Sequence, residues 1–314
     1  MSLPYDAVLL IAFGGPTAPE EIRPFLARVT EGIPIPPQRL EEVAHHYEAV
    51  GGKSPLNEIT FRQAEALKNV LQEKYLPLPV YVGMRNASPF FVETLRRMAN
   101  DGIRRALGFI LSSYRTEASW DRYQKNVADA RVELGPEAPQ AAYCAGWHDH
   151  PLFIQTWAEL IQASFADIPV HQRLNTDLVF TAHSLPTAMA SRSPYIEQVE
   201  ATARLVAAKL GHERWSIAYQ SRSGKLTDPW LEPDISDAIR KLAAGGRREV
   251  VVAPIGFVCD HVEVLYDLDI EAKKIAEDHG VTMRRASCPN DHPTFIRMMA
   301  NVIERKLKTA EDRG

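Results

Sequence analysis

The order of apolar runs along this chain predicts an α/β protein of two similar domains, each a parallel sheet flanked by helices, with a cleft between them. Three observations predict it. Short runs rich in Val, Ile, Leu and Phe alternate with longer amphipathic stretches, the order expected where strands of a parallel sheet are joined by crossover helices. The runs are apolar almost throughout, which suits strands covered on both faces. Each half also presents three strand ends loaded with polar or aromatic residues, in the same order.

The strand-like runs are 7–13, 80–84, 106–112, 177–183, 215–220 and 249–255, and the helical patterns between them are 57–75, 89–101, 119–134, 151–165, 195–210 and 233–244. In the first half the strands end at Ala12-Phe13-Gly14-Gly15-Pro16, at Gly83-Met84-Arg85 and at Ser112-Ser113-Tyr114-Arg115. In the second they end at Ala182-His183-Ser184-Leu185-Pro186, at Gln220-Ser221-Arg222 and at Pro254-Ile255-Gly256-Phe257. The boundary is expected near 146–151, giving domains 1–148 and 149–314, with the last helix packing back on the first. Ligands of open α/β sheets bind beyond the carboxyl ends of the strands, so the cleft between the halves is the expected site.

A chain of 314 residues, 45% hydrophobic and 24% charged, can bury a large core. The net charge of −4 argues against a nucleic-acid partner. The apolar stretches fall short of the ~20 residues of a membrane span, and no signal-peptide pattern precedes the first strand; peripheral membrane association stays open. The three cysteines, Cys144, Cys259 and Cys288, form no CxxC pair. A disulfide framework, a structural zinc site and a four-cysteine iron–sulfur cluster are not expected, and a reducing, cytoplasmic setting is.

Four segments carry chemistry. Gly14-Gly15-Pro16 follows a strand as a nucleotide loop would, but it has no third glycine at the required spacing and Pro16 lacks a backbone donor, so a tight turn is the better reading. His183 ends a buried strand at the cleft, where imidazole can act as a base or a metal ligand. In the segment 254–271, Asp260 and Glu263 fit a helix-capping box. Yet Glu263, Asp267 and Glu271 recur at i, i+4 and i+8 on one helical face, where like charges repel unless a cation compensates them. A solvated acidic face is the competing reading. Finally, the turn-rich 219–224 and Trp230 fit a site loop, with Trp230 either stacking on a flat ligand or joining the core.

Together these segments resemble the ferrochelatase family: FTAHSLP at 180–186, YQSRSG with WLEP across 219–233 and PIGFVCDHVEVLYDLDIE at 254–271. AVLLIAFGGP at 7–16, HYEAVGGKSPLN at 46–57 and RRASCPNDHPTF at 284–295 extend the resemblance over essentially the whole chain. The resemblance implies a chelatase-like pair of Rossmann-like domains. It makes His183 and Glu263 the metal-insertion pair, and Asp267 and Glu271 the acidic ridge that leads metal to them. Ser54 and Tyr123 match propionate-contacting positions, and Arg222 and Trp230 lie in matched site segments. Phe13 stands where some relatives carry an iron-ligating Tyr, and Thr30 and His46 stand where those relatives carry Arg. That pattern resembles the actinobacterial branch, here without the C-terminal iron–sulfur extension.

The implied reaction is insertion of Fe²⁺ into coproporphyrin III to give coprohaem, with His183 as the base for the pyrrole protons, Glu263 sharing proton and metal traffic, and no resident cofactor. The water solubility of a tetracarboxylate porphyrin and the lack of an anchor favour coproporphyrin III over protoporphyrin IX. A monomer passing product to a decarboxylase is expected. Rival readings are a non-catalytic tetrapyrrole or haem carrier, a cobalt or nickel chelatase and, more distantly, a nicotinamide oxidoreductase.

Overall fold

The structure is a computed structural model that describes residues 3–32, 35–173, 175–223 and 228–311. Among the described residues eight strands form two all-parallel four-stranded sheets. β1 (Ala7–Ala12), β2 (Val80–Met84), β3 (Arg105–Ile110) and β4 (Gln140–Tyr143) make the first, in the order β2-β1-β3-β4. β5 (Asp177–His183), β6 (Trp215–Gln220), β7 (Glu249–Ala253) and β8 (Thr282–Arg285) make the second, in the order β6-β5-β7-β8. The two orders are the same pattern, as the repeated strand ends predict.

The central strands are buried on both faces: all six residues of β1 are buried. Val8 lies against Val80 on one side and Leu107 on the other, and Val179 lies against Ser216 and Val252. All six predicted strands are present: β2, β5 and β6 have the predicted bounds, and β1, β3 and β7 have shifted ends. β7 stops at Ala253 because Pro254 has no N–H to continue the ladder. β4 and β8 are absent from the sequence reading. They are short edge strands, QAAY and TMRR, without an apolar run.

Helices cover both sheets, and two of them tie the halves together. Leu56–Glu73 follows the loop that carries Ser54, and Pro293–Glu311 ends the described chain. The latter packs against both Leu56–Glu73 and Pro151–Ser164, with Lys74–Glu304 at 2.9 Å and Arg62–Asp291 at 3.1 Å linking the first half to the last elements. Around residue 147 the chain crosses between the sheets. There Trp147 is fully buried and meets Phe109, Phe153 and Phe295 at 4.9–5.9 Å between ring centroids. The largest buried cluster accordingly draws on β1 and β3 as well as β5 and β7.

Candidate active site

In each sheet the strand order reverses beside the first strand, between β1 and β3 and between β5 and β7. Loops leaving such strands diverge and open a crevice. A cleft of about 390 Å³ lies at these two points. It is lined by Phe13 and Gly14 after β1, Ser112 and Tyr114 after β3, His183 at the end of β5, and the segment from Gly256 to Glu263 after β7.

His183 and Glu263 meet here although 80 residues separate them: His183 Nε2 is 3.7 Å from Glu263 Oε2. His183 Nδ1 lies 2.5 Å from the Ser184 carbonyl oxygen. A carbonyl only accepts, so Nδ1 donates to it and Nε2 faces Glu263 in the cleft. The Tyr195 hydroxyl donates to the His183 carbonyl at 2.8 Å and pins its backbone. Glu263 is held through its own backbone. The fully buried Gln220 donates to the Glu263 carbonyl at 2.7 Å and accepts from Thr181 Oγ1 at 2.8 Å. One amide thus ties the Glu263 segment to the strand that carries His183.

Gly256 permits the close approach of that segment. Its N–H bonds Thr181 O at 3.0 Å, and a Cβ there would lie 2.7 Å from Ala182 Cα.

The opposite wall comes from the first half. Phe13 packs edge-on to Phe25 at 6.2 Å. Ser54 and Tyr123 line the cleft and are nearly buried. Burial pushes the Tyr123 phenol above its ordinary value, so it stays a neutral donor. The Gly14-Gly15 turn is a structural turn. The Gly15 N–H and C=O bond the Asn57 side chain at 2.8 and 2.9 Å, which occupies the amide a phosphate would need. Thr30 turns its hydroxyl back to the Leu26 carbonyl at 2.8 Å. His46 stacks on Tyr266 with 3.7 Å between centroids. Neither is among the cleft-lining residues.

The acidic stripe differs from an unbroken helix. Val262–Leu265 is a single α-turn capped at His261, and Asp267–Ala272 is a π-helical segment closed by Glu271 N–H to Tyr266 O at 3.0 Å. Asp260 is not the cap. It pairs with Arg285 at 2.9 Å and accepts from Asn290 at 2.7 Å, so the capping-box reading does not hold. Asp267 turns inward and accepts from the Ser221 hydroxyl. Burial, reinforced by Glu263 and Glu271, raises its carboxyl to about 8, against the pull of the Ser221 bond. Glu271 is exposed at the outer end; crowding by protein and the nearby Asp234 raise its pKa as well. Among the described residues no group of three His, Cys, Asp or Glu side chains is gathered as a ready metal site.

Arg222 and Trp230 lie outside the cleft wall. Arg222 donates to the Asp228 carbonyl at 3.1 Å. Trp230 pairs antiparallel with Pro186, and its part-buried indole N–H has no partner among the described residues. Ser223 lines the cleft in their place, and Gly224 lies outside the described residues.

Among the lining residues that sequence reasoning did not single out are Tyr47, Tyr195 and His261. Tyr47 and Tyr195 are buried phenols raised above their ordinary value by desolvation, with Glu263 adding to it. His261 lines the cleft, sits edge-on to Phe257 at 4.9 Å and is held neutral by burial. Of these, only His261, two residues before Glu263, had a local signal.

Two parallel sheets of the same strand order, with His183 and Glu263 together at the switch point of the second, define the class as a chelatase fold. A sirohydrochlorin chelatase, SirB from Bacillus subtilis subspecies spizizenii in complex with cobalt, shares that fold at a TM-score of 0.59 over 98% of this chain and 97% of that one, with 10% identity. SirB from Bacillus subtilis with Fe3+ matches at 0.60 with the same coverage and 10% identity. The chain belongs to the ferrochelatase family, whose profile matches residues 5–307. The protein named Coproporphyrin III ferrochelatase in Mycolicibacterium smegmatis is 42% identical over 306 residues, spanning 96% of this chain and 90% of that one. The protein of the same name in Mycobacterium avium is 45% identical over 303 residues, spanning 96% and 88%.

Proposed function

We propose that this protein inserts Fe²⁺ into coproporphyrin III, yielding coprohaem and two protons, as a lyase of haem biosynthesis. The observation that carries this reading is the His183–Glu263 pair at the switch-point cleft, with Nδ1 committed to the Ser184 carbonyl and Nε2 turned toward Glu263. The porphyrin lies against Phe13 with its propionates toward polar groups such as Ser54 and Tyr123. Two pyrrole N–H protons must leave as iron enters. His183 Nε2 accepts the first of them, and Glu263, within 3.7 Å, takes proton or metal in turn. Asp267 and Glu271 continue the carboxylate line outward from Glu263 and would receive hydrated iron before it enters the ring. The names of the mycobacterial relatives support coproporphyrin III over protoporphyrin IX. Phe13 offers no oxygen to iron from the opposite face.

No resident cofactor is needed, and three cysteines fall short of a four-cysteine cluster. Those cysteines are free and buried, which fits a reducing, cytoplasmic setting. No described helix is long and apolar enough to cross a membrane. In this reading a monomer hands its product to a decarboxylase. The test is anaerobic Fe²⁺ insertion followed by absorbance, with coproporphyrin III and protoporphyrin IX in parallel. Faster turnover of coproporphyrin III is expected. Preference for protoporphyrin IX would overturn the substrate assignment, and tight binding without insertion would make the protein a carrier.

A further inference from the structure

Arg85 stands out among the arginines near the cleft. Most others are paired: Arg115 with Asp121 at 3.3 Å, Arg192 with Glu117 at 3.2 Å, and Arg285 with Asp260 and Asp269 at 2.9 and 2.7 Å. Arg85 has no carboxylate partner among the described residues, and neither does its neighbour Arg122. It directly follows β2, and its backbone N–H bonds the Ala12 carbonyl at 3.0 Å, which fixes it beside the end of β1. Its guanidinium lies 5.9 Å from the centroid of the Phe13 ring; Phe13 lines the cleft and Arg85 stands behind that lining, at its edge. Tyr123, a cleft-lining phenol, is its other neighbour.

This placement suits an anion. Arg85 is part-buried, and burial together with the like charge of Arg122 disfavours its cationic form. A guanidinium keeps its proton under protein conditions, so this cation, with no carboxylate of the described residues beside it, is available to an anionic ligand. The neighbours say what kind of anion fits: a flat apolar body on Phe13 with an acidic arm long enough to pass the ring edge. Guanidinium takes a carboxylate in a two-pronged hydrogen-bonded pair.

We infer that Arg85, supported by Arg122, anchors a propionate of the porphyrin past the edge of Phe13. The inference rests on the function proposed above. It adds a specificity residue at a first-half strand end to the Ser54 and Tyr123 contacts.

The test uses the full chain with Arg85→Gln and Arg85→Lys. It reads steady-state iron insertion and, separately, coproporphyrin III binding by quenching of porphyrin fluorescence. A charge-assisted pair of this kind is worth about 1.5–3 kcal/mol, or about 10- to 100-fold in affinity. Arg85→Gln is expected to raise KM and Kd for coproporphyrin III by about 10-fold or more, with kcat within about twofold of wild type. Arg85→Lys should recover part of the loss, and the salt dependence of Kd should flatten in Arg85→Gln. An unchanged Kd and salt dependence in Arg85→Gln would overturn the inference. So would a fall in kcat and thermal midpoint with Kd unchanged, which marks a structural role. A wild-type chain that binds coproporphyrin III without inserting iron would fail the proposed function and still leave the binding comparison decisive for Arg85.

Discussion

Replacing Gly256 with alanine puts a methyl group where the segment after β7 crosses the end of β5. The new Cβ would lie 2.7 Å from Ala182 Cα and 2.9 Å from Ala182 Cβ. Carbon atoms pack comfortably at about 3.5–4.0 Å, so the crossing must open by about 1 Å. Neither partner can yield by a rotamer change, because one contact is backbone and the other is attached directly to it. Overpacking of this kind costs about 1–3 kcal/mol, and urea denaturation should show the midpoint falling accordingly. The larger effect is expected in catalysis. Ala182 precedes His183, and Gly256 leads into the segment that carries His261 and Glu263, so opening the crossing widens the 3.7 Å gap between His183 and Glu263. A misplacement of about 1 Å can reduce turnover by about 100-fold. Gly146→Ala is the control, because its Cβ would meet nothing within 4 Å. Gly256→Ala with wild-type stability and turnover would refute the argument that this crossing sets the spacing of the pair.

Three further outcomes are expected. Gln220→Ala leaves the Thr181 hydroxyl and the Glu263 carbonyl without their partner; about 2–4 kcal/mol of stability should be lost in chemical denaturation, with turnover reduced beyond what the loss of folded protein explains. Asp267→Asn should be more stable than wild type, increasingly so as pH rises from about 4 toward 8. The native carboxyl, raised to about 8, holds a proton that the unfolded chain has released, so stability falls with pH in wild type by up to about 1.4 kcal/mol per unit. Parallel melts at pH 5 and pH 8 read this, and equal differences at both would contradict it. Asn57→Ala removes both bonds to Gly15 at a buried position and should destabilise by about 2–3 kcal/mol, whereas a nucleotide-binding turn would reveal itself by protection with dinucleotide, which is not expected.

Much of the architecture was legible because buried parallel strands leave continuous apolar runs. The six central or longer strands were marked in this way, whereas β4 and β8, with four residues each and polar or small side chains, carried no such mark. His183 was visible as a polar residue closing an apolar strand. Its pairing with Glu263 was not, since it depends on β5 and β7 being neighbours and on Gly256 letting the following segment fold back; only the family resemblance carried it. The acidic stripe was legible as spacing, but the π-helical segment was not. That widened turn brings Asp267 inward to Ser221 and leaves Glu271 outside. Arg222 and Trp230 were chosen from site motifs, yet neither side chain lines the cleft, while Tyr47 and Tyr195 lacked any local pattern and are recruited by packing.

The sharpest test of the His183 assignment is anaerobic iron insertion by His183→Ala, compared with wild type at matched folded concentration and with coproporphyrin III binding measured alongside. In the proposed reaction His183 Nε2 is the base and first metal contact, so porphyrin binding should survive while insertion falls by at least about 100-fold. Insertion at near wild-type rate by His183→Ala would show that another group does this work.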